Sequence, residues 1–86
     1  MVFVYDLNLV VSNQQTIEIN NARTELGNTV NYLVSRTGYP ATDKFMQNYK
    51  AESAELLFFD ENGKLFKRQF ALVSSENLTK TLANDG

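Results

Sequence analysis

The feature that most constrains this chain is an apolar run broken by a tight turn. Ala54-Glu55-Leu56-Leu57-Phe58-Phe59 is followed by Asp60-Glu61-Asn62-Gly63, and Leu65 to Val73 resumes the β-favouring pattern. Two such runs around Asn-Gly predict a hairpin, because Asn and Gly both accept the positive φ of a type I′ turn, whose twist matches the flanking strands. The expected register pairs Phe59 with Phe66 and Glu61 with Lys64. Leu57 and Phe59 are the expected core of this unit.

An isolated hairpin is marginal in water, so the rest of the chain must cover it. With 86 residues the chain forms one domain, 1–86, and buries roughly 60–65% of its surface. Six Phe and four Tyr are available to fill the core. Residues 2–11 read as a strand, with Phe3, Tyr5, Leu7, Leu9 and Val11 on one side and Val2, Val4, Asp6, Asn8 and Val10 on the other. Ser12-Asn13-Gln14 reads as a turn, and Thr16 to Asn20 as a second strand pairing back, with a place in the following helix as the alternative. Asn20 or Asn21 caps a helix over about 21–36, where Ala22, Leu26, Val30 and Leu33 form a stripe flanked by Thr29 and Val34. Gly27 weakens that helix, Gly38 supplies a left-handed C-cap, and Pro40 blocks continuation. Thr42 or Asp43 opens a short helix, about 43–51, with Phe45, Met46 and Tyr49 inward. Ser74 or Ser75 caps a last helix with Leu78 and Leu82 inward, Glu76 near its positive end and residues 84–86 fraying. The expected architecture is an α+β two-layer sandwich: a four-stranded, mainly antiparallel sheet with helices on one face, in the order β-β-α-α-β-β-α.

The absence of cysteine excludes disulfides, thiolate catalysis and thiolate metal sites, and it points to a cytoplasmic setting. The absence of histidine removes the commonest general base near neutral pH and the commonest transition-metal ligand. The formal net charge of −2 supplies no field to gather nucleic acid. No apolar run is long enough to span a bilayer, and Met-Val-Phe-Val-Tyr-Asp has no basic region of a signal peptide. No phosphate loop, nucleophile elbow or metal-ligand spacing occurs, so the expectation is a chain with no catalytic residues, no metal and no cofactor.

Asp60 and Glu61 belong to the turn, and a twelve-residue calcium loop starting at Asp60 would end on Ala71 rather than Glu. Asp6, beside Asn8, is expected on a wet strand face. Lys64, Lys67 and Arg68 alternate with Phe66 and Phe70 on the second hairpin strand. Basic and aromatic residues on a sheet can stack single-stranded bases. The plainer reading makes the charges guards of an edge strand. Arg36 and Tyr39 lie in a polar loop, and both residue types are common at binding hot spots. Val2, Val4 and Val10 form either an open surface for sheet pairing or the second face of a central strand.

Residues 43–83 resemble the C-terminal half of a thioredoxin-type domain: a helix (Asp43 to Tyr49), a strand (Leu56 to Phe59), a turn with Asn62-Gly63-Lys64, a strand, and a last helix (Glu76 to Leu82). The resemblance covers less than half of the chain. Ala54 stands where that family carries a cis-proline before the strand, no Cys-x-x-Cys is present, and the expected N-terminal hairpin does not fit. The resemblance implies a fold analogy and no activity.

These observations lead to the expectation of a non-enzymatic protein-binding module: a small inhibitor, adaptor or regulator of the kind that phages and plasmids encode. It would act through an edge strand and an adjacent loop. Its contact residues would be Lys64, Lys67, Arg68, Arg36 and Tyr39, with charge reversal at Lys67 and Arg68 weakening binding without unfolding. The alternatives are a self-associating subunit such as a homodimer, and a nucleic-acid binder using strand 64–70.

Overall fold

A computed structural model describes residues 1–27 and 30–83. The elements are β1 (Val2–Tyr5), α1 (Val10–Leu26), β2 (Leu33–Arg36), α2 (Pro40–Tyr49), β3 (Glu55–Phe59), β4 (Leu65–Phe70) and α3 (Ser75–Ala83). The strands form one sheet in the order β2-β1-β3-β4. β1 and β2 are parallel, whereas β1–β3 and β3–β4 are antiparallel. The protein is thus α+β with a mainly antiparallel four-stranded sheet.

The hairpin forms with a different turn. The Asp60 carboxylate accepts the amides of Asn62 and Lys64, both at 2.9 Å, and Gly63 N–H closes on the Asp60 carbonyl at 3.0 Å. Gly63 has φ +80°, which glycine adopts without strain. This is a wider loop than a two-residue I′ turn. It ends in a bulge at Phe58/Phe59, so Phe59 pairs with Leu65 rather than Phe66. β4 stops at Phe70, short of the expected Val73.

The largest departure lies between residues 6 and 36, where the chain forms a helix and then a strand. The order is therefore β-α-β-α-β-β-α. The side-chain oxygen of Asp6 accepts Asn8 N–H and Asp6 N–H donates to Ser12 Oγ, which ends β1 at Tyr5 and turns the chain into α1. Thr16 to Asn20, expected as a strand, is mid-helix. The buried side of α1 is Ser12, Gln15, Ile19 and Ala22, at spacings of three and four. Two of those four are polar, so hydrophobic periodicity hid the helix, while outward Ile17 and inward Ile19 mimicked alternation. Gln15 is buried because its amide works like a strand neighbour: Nε2 donates to the Val73 carbonyl at 2.9 Å and Oε1 accepts Val73 N–H at 2.6 Å.

The expected helix over 21–36 ends at Leu26. Gly27, at φ +62°, caps it with N–H donating to the Arg23 carbonyl, and so ends the helix instead of weakening its interior. Leu33 and Val34 then join a strand beside β1; Thr29 and residues 84–86 lie outside the described residues. Pro40 opens α2 at its first position, so this helix starts three residues before the expected Asp43. Ser74 Oγ accepts Asn77 N–H at the start of α3, the expected cap, and Glu18 accepts Ser75 N–H at 2.8 Å.

The helices lie on both faces of the sheet rather than one. Phe3, Leu56 and Phe58 pack with Ile19 and Ala22 of α1 and Leu78 of α3. Alternation turns Val4 and Leu57 to the opposite face, where Ala51 joins them and Phe45, Met46 and Tyr49 of α2 pack over them. Val4 is fully buried there, so β1 is a covered central strand. The elements α2–β3–β4–α3 follow the order implied by the resemblance to a thioredoxin-type domain. A parallel β-α-β unit precedes them, where the expectation was an antiparallel hairpin. Ala54, in place of the family's proline, has φ +66° and donates its N–H to the Val4 carbonyl at 2.9 Å.

Candidate functional site

The two outer strands, β2 and β4, differ in how they meet solvent. β2 has the sequence Leu-Val-Ser-Arg. Its inner side is bonded to β1, and the flanking bonds are Leu33 N–H to the Met1 carbonyl at 3.0 Å and Thr37 N–H to the Tyr5 carbonyl at 2.9 Å. Strand alternation then turns the N–H and C=O groups of Val34 and Arg36 outward. Leu33 is 58% exposed and Val34 49% exposed. The guanidinium of Arg36 has no hydrogen bond or ion pair among the described residues.

Tyr32, one residue before β2, packs against the α1-side core, and the Arg23 guanidinium lies over its ring, 5.4 Å from the centroid. The Tyr32 hydroxyl is buried with no hydrogen-bond partner among the described residues. Burial pushes the Tyr32 phenol up, with Arg23 opposing. Tyr32 and Leu33 also line an open cleft of about 750 Å³ with Met1, Val2, Phe59 and Leu82.

β1 and β2 are adjacent and parallel, but the helix after β1 lies on one face and the helix after β2 on the other. Their loops, 6–9 and 37–39, therefore both lie at the carboxyl ends of the strands, the end where open sheets commonly take ligands. Leu7, Val10 and Tyr39 are all exposed there. Large exposed side chains thus continue from the β2 edge to this end of the sheet.

β4 is an edge of another kind. Arg68 crosses to Glu55 on β3 with Nε–Oε2 at 2.7 Å and Nη2–Oε1 at 3.1 Å, and Nη2 also donates to the Lys50 carbonyl at 3.1 Å. Glu55 is buried, and it also accepts Glu52 N–H at 2.9 Å. Burial raises the Glu55 carboxyl, but the Arg68 hydrogen bonds and the backbone amide outweigh it and hold the group below its usual range. Lys67 lies on the other face, with Nζ 3.5 Å from Thr81 Oγ1 of α3. Phe66 and Phe70 are exposed beside these cations.

The five expected contact residues therefore fall in two places. Lys64, Lys67 and Arg68 lie on or next to β4, and Arg36 and Tyr39 lie on or after β2, with β1 and β3 between. The edges are about 14 Å apart, three strand spacings. They do not form one edge-and-loop site. Arg68 is also not a free contact: reversing its charge would set a carboxylate against buried Glu55, so that change cannot leave the fold untouched.

Sequence reasoning placed Leu33 and Val34 on a helix and gave Arg23 no role. The signal that could have found them was Gly27 as a helix stop followed by the β-favouring Leu-Val before the Gly38-Tyr39-Pro40 turn.

No family model matches the chain, and neither a curated protein nor a solved structure matches it. Among the described residues no helix is long and apolar enough to cross a membrane.

Proposed function

We propose that this protein is a non-enzymatic binding module, an inhibitor, adaptor or regulator of another protein, which takes a strand of its partner along β2. Arg36 and Tyr39 are the contacts at the end of that strand. The observation that supports this reading is the open β2 edge, where Leu33 and Val34 stand exposed beside outward backbone groups that no strand among the described residues pairs. An added strand would gain affinity from main-chain hydrogen bonds and specificity from alternate side chains. The exposed Leu7, Val10 and Tyr39 extend the surface beyond the strand.

The test is affinity capture from source cells with the wild-type chain and with Val34→Pro, with and without nuclease. Proline is tolerated on an edge where the N–H faces solvent, so this change blocks the outer hydrogen bond while leaving the β1 pairing in place. A stoichiometric protein that survives nuclease and is lost with Val34→Pro supports the proposal. Equal recovery by both chains removes β2 from the site, and loss on nuclease treatment favours nucleic-acid binding.

A further inference from the structure

The β2 edge carries a charge pattern on the α1 side. The register with β1 sets Val34 beside Phe3 and Arg36 beside Tyr5, so both side chains project to the face that α1 covers. Tyr32 lies on that same face, with Arg23 over its ring. Along the edge this face reads cation, valine, cation. The cations flank positions four residues apart, about 13 Å of strand. Among the described residues neither guanidinium is ion-paired; the arginine that is paired is Arg68, on the opposite edge. Both guanidinium groups stay charged at any physiological pH and present several donors each.

We propose that the strand added to β2 is an extended acidic segment of a partner protein, with carboxylates two residues before and two residues after an apolar side chain. Its apolar residue would lie against Val34 and its carboxylates against Arg23 and Arg36. This rests on the strand-addition reading above and names the partner's chemistry. A second copy of the chain is a poorer occupant. Antiparallel two-fold pairing centred on Val34 sets Arg36 of each copy opposite Tyr32 of the other, beneath Arg23, so like charges meet twice.

The experiment titrates the isotope-labelled full chain with a peptide containing Glu-Thr-Val-Thr-Glu and with its Gln-Thr-Val-Thr-Gln counterpart, following amide shifts at low and high salt. The acidic peptide is expected to bind about tenfold more tightly at low salt, to shift residues 32–37 and Arg23, and to lose its advantage at high salt. Arg36→Gln alone, and Arg23→Gln with Arg36→Gln, should bring the two peptides toward equal affinity. Equal binding of both peptides to the wild-type β2 overturns the acidic preference but leaves strand addition standing. Shifts confined to β4, or no shifts at millimolar peptide, also overturn the proposal, and capture with Val34→Pro then decides the parent reading on its own. A doubled mass with Val34 and Arg36 amides already protected in the free chain would put a second copy on the edge and overturn it as well.

Discussion

The two edges of this sheet face the same physical problem and meet it differently. Each presents a row of backbone groups that no strand among the described residues pairs, and such a row can template another strand. β4 carries Lys67 and Arg68, has a bulge at its start, and is fastened by the two-pronged Arg68–Glu55 contact. Its aromatics are exposed, but beside charges that disfavour a second sheet. β2 has no bulge, and Leu33 and Val34 are exposed without a charge before Arg36. The comparison teaches that basic residues on a strand do not by themselves mark a binding site. Here they coincide with a cross-strand tie, whereas the edge with few charges is the one left open.

The largest effect that sharpens this contrast is expected where β4 is anchored. Leu57 is fully buried on β3, paired with Arg68, so Leu57→Ala should lower stability by about 2–5 kcal/mol in denaturant unfolding. A change below about 1 kcal/mol would mean that the β3–β4 side is not the rigid one. Next comes Arg68→Met, which leaves the Glu55 carboxylate buried without its charged donors and should cost about 2 kcal/mol near pH 7. Its pH dependence has a definite sign. Glu55 is held below its usual range in the fold, so its contribution is present above the pKa of the unfolded group and is lost as pH falls through the folded value. Stability of the wild-type chain should therefore fall across that acid window, and Arg68→Met should flatten the fall. The smallest stability effect is expected on β2. Leu33→Thr with Val34→Thr keeps β-propensity on exposed positions and should change unfolding by less than about 1 kcal/mol while weakening partner capture. A large destabilisation would break the comparison by making β2 a structural strand.

The legible parts of the fold were those where hydrophobicity and turn chemistry agreed. Residues 55–59 were readable as a buried strand, Asn62-Gly63 as a reversal, and Ser74 as a helix cap. The first third of the chain was not, because α1 turns Ser12 and Gln15 inward, and Gln15 is at home there only by pairing with Val73, 58 residues away. A long-range hydrogen bond leaves no periodicity to read. Losing α1 displaced β2, and with it the open edge. Arg36 and Tyr39 were nonetheless picked out by residue type in a loop, whereas Leu33 and Val34 looked like an ordinary helical stripe.

The most direct measurement is amide hydrogen exchange on the free chain and on its complex with the captured partner, residue by residue along both edges. In the free chain Leu33 and Thr37 should be slowed by their bonds to β1, while Val34 and Arg36 exchange quickly. In the complex with a strand added to β2, Val34 and Arg36 should become protected and Arg68 and Phe70 should not change. Protection that appears on β4 while Val34 and Arg36 stay open would contradict this expectation.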